Sequence, residues 1–453
     1  MSTTSPPALD RARAKAYRRL LPLLFLCYVI AYVDRTNVSI ASLTMTKDLP
    51  GFNDLVFGLG SGVFFLGYFL LEIPGTLIVE KWSARKWISR IMISWGIMAA
   101  LTALVKTPFQ FYTVRFLLGL AEAGFFPGVI VYLTHWFPTR DRARALAYFF
   151  VATPIAQIVS PKLSNLLLRI GVEGNPMVLG LKGWQWVYIA WGIPAVVLGI
   201  LVLLLLTDRP GQAQWLEADE REALEEELKR EKAQHQAGGH MRLSEAFRNP
   251  KVLLLAAAYF FIVTGNYGVE FFLPKILERW YSLKLDAVTW LVILPPIGSL
   301  TGQIFVGWSS DRTKERRLHA VVPIYLGALA LALTPWSHGQ LWLTVGLFIC
   351  AMTGLKAYLP AFWSLPSLFL TEAAAAGCIG LINSVGNLGG FVGPSVLGLV
   401  ERLTGSFQGG LYFLSSSMVV SATIILLLGL GRRDTAKPTP TPDPLEEALA
   451  EPV

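Results

Sequence analysis

The chain has 453 residues, 53% of them hydrophobic and only 15% charged, with a mean hydropathy of +0.51. That is too apolar for a soluble domain of this length and makes it a polytopic membrane protein. The net charge of +8 does not by itself indicate a nucleic-acid partner. The three cysteines, Cys27, Cys350 and Cys378, lie in apolar stretches at no paired spacing, which argues against a disulfide framework or a metal site.

A bilayer core needs about 20 apolar residues per helix. With Pro, Gly and charge clusters as boundaries, twelve candidate spans follow: 20–45, 55–80, 87–106, 108–136, 143–170, 184–207, 251–279, 286–309, 318–336, 340–370, 374–401 and 408–431. The basic clusters fall on one side of these spans. They comprise Arg11 to Arg19, Lys81 to Arg90, Arg140 to Arg144, the segment 208–251, Arg312 to Arg317, and Arg432-Arg433. The other side holds scattered charges such as Lys47, Lys106 and Lys182. This positive-inside pattern predicts that both termini are cytoplasmic, and the basic balance thereby reports topology. Residues 1–16 are polar and basic and are expected to be disordered or to lie along the membrane surface. The first apolar run is too long for a signal peptide and lacks a small-residue cleavage site after it, so it stays as the first helix.

That run carries Tyr32-Val33-Asp34-Arg35-Thr36-Asn37 in its middle. Each charge costs roughly 2.5–3.5 kcal/mol at the centre of a bilayer. Adjacent helical residues point about 100° apart, so Asp34 and Arg35 cannot simply face each other and each needs a partner from another helix. An intramembrane site for an ion or charged solute is one reading. Mutual neutralisation, or a position near the surface, is the other.

The second span holds Gly60, Gly62 and Gly67, then Tyr68 through Gly75. The glycines suit close helix packing, whereas Tyr68 presents a polar tip at mid-span. In the fourth, Arg115 and Glu122 are seven residues apart on one face, about 10 Å, too far to pair with each other. They are free to engage the first helix as pocket groups, or they belong to a structural ion-pair network. In the fifth, Pro154 and Pro161 interrupt the helix around Gln157, whose amide suits either a bound solute or an interhelical hydrogen bond.

Hydrophobicity collapses between Asp208 and Pro250, where residues 218–232 read as a charged, solvated helix. The chain repeats itself weakly across this linker. Gly75 leads to Glu80-Lys81 and Arg85-Lys86 after the second span, and Gly307 leads to Asp311-Arg312 and Arg316-Arg317 after the eighth. An acid beside a cation at a helix end, followed by a basic turn, is suited to hold two helices together in one state and release them in another. Glu80, Lys81, Arg85, Asp311 and Arg312 are therefore candidate gating residues. Lys356 lies seven residues before Trp363, and Glu270 four after Asn266. Lys356 either holds a second carboxylate of a bound solute, or pairs with Glu270 or snorkels to the interface. There is no metal-ligand cluster, and His135 sits near a helix end with no paired nucleophile in the sequence. The tail after Arg433 is polar, proline-rich and expected to be disordered.

Taken together these residues resemble the major facilitator superfamily, in its anion:cation symporter branch. The resemblance covers nearly all of residues 15–432 and rests on Asp34-Arg35-Thr36-Asn37, Phe65-Leu66-Gly67-Tyr68, Arg115 through Gly128 and Trp136-Phe137-Pro138. Phe362 through Pro366 and Gly380 through Pro394 complete it. Within the branch it is most similar to bacterial carriers of tartrate and related hydroxy or aromatic carboxylates, and more distantly to sugar-acid carriers and vesicular glutamate transporters. The resemblance implies an all-α membrane protein of twelve transmembrane helices in two pseudo-symmetric six-helix halves. These are 17–207 and 251–432, with a cytoplasmic N-terminus 1–16, a linker 208–250 and a tail 433–453.

It also implies roles. Tyr32, Arg35, Tyr68 and Arg115 match positions that bind the substrate's carboxylate and hydroxyls, Asp34 and Glu122 match proton-handling carboxylates, and Trp363 and Asn383 match substrate contacts. Gln157 aligns only approximately. The glycine-to-acid spacing after the second span is one residue longer than in the second half, which puts its gating role in doubt. The implied function is a proton-coupled symporter importing an organic carboxylate by alternating access, in a bacterial inner membrane. Its partners would be a small organic anion, protons and the lipid bilayer, with no cofactor, no nucleic acid and a monomeric state. The alternatives are an uncoupled facilitator or anion exchanger, or, from another class, a membrane sensor or enzyme built on the same fold.

Overall fold

The computed structural model describes residues 7–171, 174–236, 248–368 and 372–431. Among the described residues the chain is helical, apart from one isolated β-bridge between Val178 and Leu181. The first half contains α1 (Pro7–Asp48), α2 (Asp54–Lys81), α3 (Ala84–Leu101), α4 (Pro108–Glu122), α5 (Phe125–Thr134), α6 (Thr139–Phe150), α7 (Ala152–Leu168) and α8 (Gly183–Leu205). The linker carries α9 (Ala218–Gln236). The second half contains α10 (Pro250–Tyr281), α11 (Leu285–Leu291), α12 (Leu294–Thr313), α13 (Arg317–Leu333), α14 (Leu341–Ala357), α15 (Leu359–Trp363), α16 (Glu372–Asn387), α17 (Gly389–Thr404) and α18 (Gln408–Leu428).

These helices form twelve spans because several spans are broken. The fourth is α4 plus α5, split where Gly124 takes φ +84°, a left-handed conformation that glycine adopts without strain. Among the described residues, ten stretches are long and apolar enough to cross a membrane. The other two spans, α6–α7 and α16–α17, occupy the fifth place of each half and are each interrupted near their middle. Large apolar side chains such as Leu26, Leu204, Phe305 and Leu427 face outward, a surface that a bilayer covers and water would not.

Residues 7–16 correct the expectation of a disordered amino terminus: they are the first turns of α1. At 1.5 Å per residue this 42-residue helix is about 60 Å long, well beyond the thickness of a bilayer. Its projecting turns are ordered because acids match their charges. Arg11 pairs with Asp219 at 2.6 Å, Lys15 with Glu220 at 2.7 Å, and Arg13 with Asp141 at 2.5 Å. Helix α9, expected to be solvated, thus has one buried face, with Glu220 and Leu224 covered. Trp215 ahead of it stacks on Trp136 at 5.2 Å. The tail 433–453 lies outside the described residues.

The two halves meet at the end remote from the linker. There α2 packs against α17 so closely that a Cβ on Gly58 would lie 2.3 Å from the Pro394 carbonyl oxygen. Ion pairs reinforce this closure. Asp54 at the start of α2 receives Lys275 and Arg279 of α10, each at 2.6 Å, and Arg279 also reaches Glu401 at 2.6 Å. Arg169 pairs with Asp286 at 2.6 Å, and Lys47 with Glu278. Among the described residues, every ion pair joining the two halves lies at this end.

Candidate functional site

At mid-depth, α1 aims its neighbouring charges at different helices. Asp34 is buried and accepts a hydrogen bond from the Trp95 indole of α3 at 2.8 Å and from the Asn37 amide at 3.3 Å. Arg35 donates to Glu122 at the end of α4 and, at 3.1 Å, to the Tyr267 hydroxyl of α10. Its guanidinium lies over Tyr68 at 5.1 Å and Phe64 at 5.4 Å. Glu122 can reach Arg35 from the last turn of α4 because the chain turns away at Gly124.

Arg115 sits two turns earlier on α4 and is fully buried. It lies over Phe64 at 5.1 Å and donates to the Gly60 carbonyl at 3.3 Å. Both of its terminal nitrogens, together with Arg35 Nε and Glu122 Oε2, have no hydrogen-bond partner. A buried polar group left unsatisfied costs about 1–3 kcal/mol, and more when charged. Four such atoms on three buried ionic side chains call for an explanation beyond structural pairing.

One turn away along α1, a second cluster surrounds Glu270 of α10. Its carboxylate accepts from the Tyr32 hydroxyl at 2.8 and 3.1 Å, from Gln157 of α7 at 2.7 Å and from Asn266 at 3.3 Å. Lys356 of α14 stands 3.7 Å from this carboxylate and 3.3 Å from the Tyr32 hydroxyl. Of the two roles open to Lys356 in the sequence, pairing with Glu270 is the one adopted here. Each half thus supplies one cation–carboxylate pair, and each pair is touched by a tyrosine from the other half.

The remaining sequence candidates are spread more widely. Asn383 of α16 donates to Glu72 of α2 at 2.6 Å, bridging the halves. Trp363 packs on Tyr259 at 5.0 Å and Phe362 at 5.3 Å, an aromatic wall beside the charges rather than a member of either ion pair. Arg85 caps its own half: its backbone N–H donates to Asp208 at 2.9 Å and its guanidinium to the Leu206 carbonyl at 3.2 Å. Asp311 pairs with Arg316 at 2.6 Å in the following turn, and Arg312 stacks over Trp308 at 5.4 Å. The side chains of Glu80 and Lys81 lie outside the described residues.

Sequence reasoning passed over Glu72, Trp95 and Tyr267, and left Glu270 undecided. Periodicity held a signal for two of them. Glu72 is one turn after Tyr68, and Tyr267 three residues before Glu270, so each shares a face with a recognised position. Trp95 had no such signal, since an indole in an apolar helix reads as packing until its partner is known.

The comparisons agree with this architecture. A protein from Agrobacterium vitis, named provisionally as a tartrate transporter, is 42% identical over 418 residues, covering 92% of this chain and 94% of its own. An Acinetobacter baumannii protein named as a quinolone resistance transporter is 39% identical over 412 residues, covering 91% and 92%. The fold resembles that of the Escherichia coli xylose transporter XylE in a partially occluded inward-open conformation, with a TM-score of 0.70 at 12% identity over 91% of this chain and 98% of that one. The Major Facilitator Superfamily model matches residues 24–394; with twelve broken and unbroken spans in two halves around buried charges, the chain belongs to that superfamily of transporters.

Proposed function

We propose that the protein is a proton-coupled symporter that imports an organic carboxylate across a bacterial inner membrane, with the linker side facing the cytoplasm. The observation that carries this reading is the internal neutralisation of the arginine site. Arg35 is occupied by Glu122 while the Arg115 terminal nitrogens stay unpartnered. Protonating Glu122 releases Arg35, and the pair of guanidiniums then favours an anion. Asp34, held by Trp95, is the other carboxylate in electrostatic reach of Arg115. Proton and anion uptake are coupled because each compensates the charge the other leaves. The relative's tartrate name supports a small carboxylate as cargo.

Alternating access follows as rocking of the two halves about this midplane site. The closure at the end remote from the linker corresponds to the state open towards the cytoplasm, in which the anion and proton are released.

The test is uptake into proteoliposomes under an imposed pH gradient, with internal acidification recorded alongside. Uphill uptake of an organic acid with acidification is expected. Asp34→Asn should abolish gradient-driven accumulation while leaving exchange at equal pH. Flux without acidification in the unmodified protein would instead identify an uncoupled facilitator or exchanger, and uphill uptake by Asp34→Asn removes Asp34 from coupling.

A further inference from the structure

We infer that Glu270 is a tethered stand-in for a second carboxylate of the substrate, and that Lys356, Gln157 and Tyr32 form its subsite, so that the cargo is a short dicarboxylate. This rests on the organic-anion reading above and narrows it.

The chemistry around Glu270 is that of a carboxylate receptor. Its two oxygens take a phenol hydroxyl, two amide N–H groups and an ammonium, drawn from α1, α7, α10 and α14. A buried carboxylate needs more donors than a single cation supplies, and what distinguishes this one is that the donors satisfying it come from both halves. Two of the donors belong to one half and two to the other, so the carboxylate bridges the halves. A rocking motion that parts the halves necessarily strips donors from it. A small cavity between the halves, lined by Ser39, Gln157, Ser160 and Glu270, adjoins the cluster and leaves the carboxylate somewhere to swing.

The register places the two clusters close together along the helices. Tyr32 and Arg35 are three residues apart on α1, and Glu270 and Tyr267 three apart on α10, with Arg35 bonded to Tyr267 and Tyr32 to Glu270. The helix positions that carry the two clusters are thus offset by about one turn, ~4.5 Å of rise. Carboxylates joined through two carbons span a similar distance, about 4 Å between their carbons. The Asn266 side-chain oxygen, on the amide that donates to Glu270, has no hydrogen-bond partner and is an acceptor open to a ligand hydroxyl. A ligand with one carboxylate satisfies Arg35 but cannot displace Glu270. A ligand with two displaces both internal carboxylates at once.

A tethered competitor lowers apparent affinity by the fraction of time it occupies the subsite. Binding of tartrate and of threonate, its matched monocarboxylate, would be measured on the purified full-length protein by titration calorimetry. The unmodified protein is expected to prefer tartrate. Glu270→Gln should tighten tartrate by about fivefold or more, with a smaller change for threonate. Lys356→Gln leaves Glu270 without its cation, so the double variant Glu270→Gln/Lys356→Gln, which removes both charges together, guards against misfolding. In it the tartrate-to-threonate preference should collapse towards unity. A double variant that keeps the full preference, or a Glu270→Gln that weakens tartrate, overturns the inference while organic-acid binding itself still stands. Binding of neither acid by the unmodified protein overturns this inference alone, whereas the organic-anion reading falls only if the proteoliposome assay above finds no organic acid taken up.

Discussion

The midplane and the sealed end both bury opposite charges, yet they do so in different ways. At the sealed end each Asp54 oxygen faces a cation at 2.6 Å, Lys275 at Oδ1 and Arg279 at Oδ2, and Arg279 is shared with Glu401; Oδ2 has this ion pair but no hydrogen bond. At the midplane Arg35 and Glu122 each satisfy one another with one atom and leave another unpartnered, and Arg115 has only a backbone carbonyl and a ring. A carboxylate with a cation on each of its oxygens favours the state in which that contact forms, whereas guanidinium nitrogens left short of an anion favour whatever ligand completes them. The first therefore reads as a closure and the second as a binding site.

Four experiments press on that contrast. Replacing Arg35 by Ala should act on the ligand, costing about 2–5 kcal/mol of carboxylate affinity, read as a Kd raised by a factor of about thirty or more. Normal binding by that variant would sink the site. Asp54→Asn should act instead on the state, removing about 3–5 kcal/mol from closure by leaving Lys275 and Arg279 without their buried partner. Thiol labelling at Ser395→Cys, in a background without the three native cysteines, should rise from the far side, and unchanged labelling would mean that packing alone seals that end.

A smaller effect on the same closure is expected from Gly58→Ala. Its new methyl would meet the Pro394 carbonyl, and overpacking typically costs about 1–3 kcal/mol. Labelling should shift in the direction of Asp54→Asn but by less; equal labelling to the unmodified protein contradicts the tight α2–α17 contact.

The weakest expected effect concerns the linker. Burial raises the Glu220 carboxyl, but hydrogen bonds from Lys15, the Glu217 backbone and Arg11 outweigh it and hold it below the ordinary range. A depressed carboxyl stabilises docking above its unfolded value of about 4.3 and loses that contribution as pH falls through the folded one. Hydrogen exchange in α9 should therefore quicken as pH is lowered below about 4, after correction for intrinsic rates, by the equivalent of less than about 1 kcal/mol. A pH response that persists in Glu220→Gln assigns the effect elsewhere.

Twelve spans were legible because each needs a long continuous apolar run, a pattern that in lipid suits a helix rather than the alternating strand of a barrel. Arg35, Arg115 and Glu122 stood out for the same reason, since a charge inside such a run is conspicuous in one dimension. The interruption expected around Gln157 was misplaced, since α7 runs unbroken through Pro154 and Pro161 and the fifth span breaks at Val151 instead, and the helical first turns of α1 were not legible at all. Their order depends on Asp141, Asp219 and Glu220, which lie 128 to 209 positions away along the chain.

Composition and apolar periodicity alone were enough to establish a multi-pass helical protein and to mark which charges had to find partners within it. Which partner each charge took was settled by the folded arrangement: Asp34 met an indole, Arg35 a carboxylate on α4, and Lys356 a carboxylate on α10. The physical reason is range. A local pattern records the cost of burying a charge, whereas the compensation comes from helices brought together across hundreds of residues, and no local spacing encodes their register.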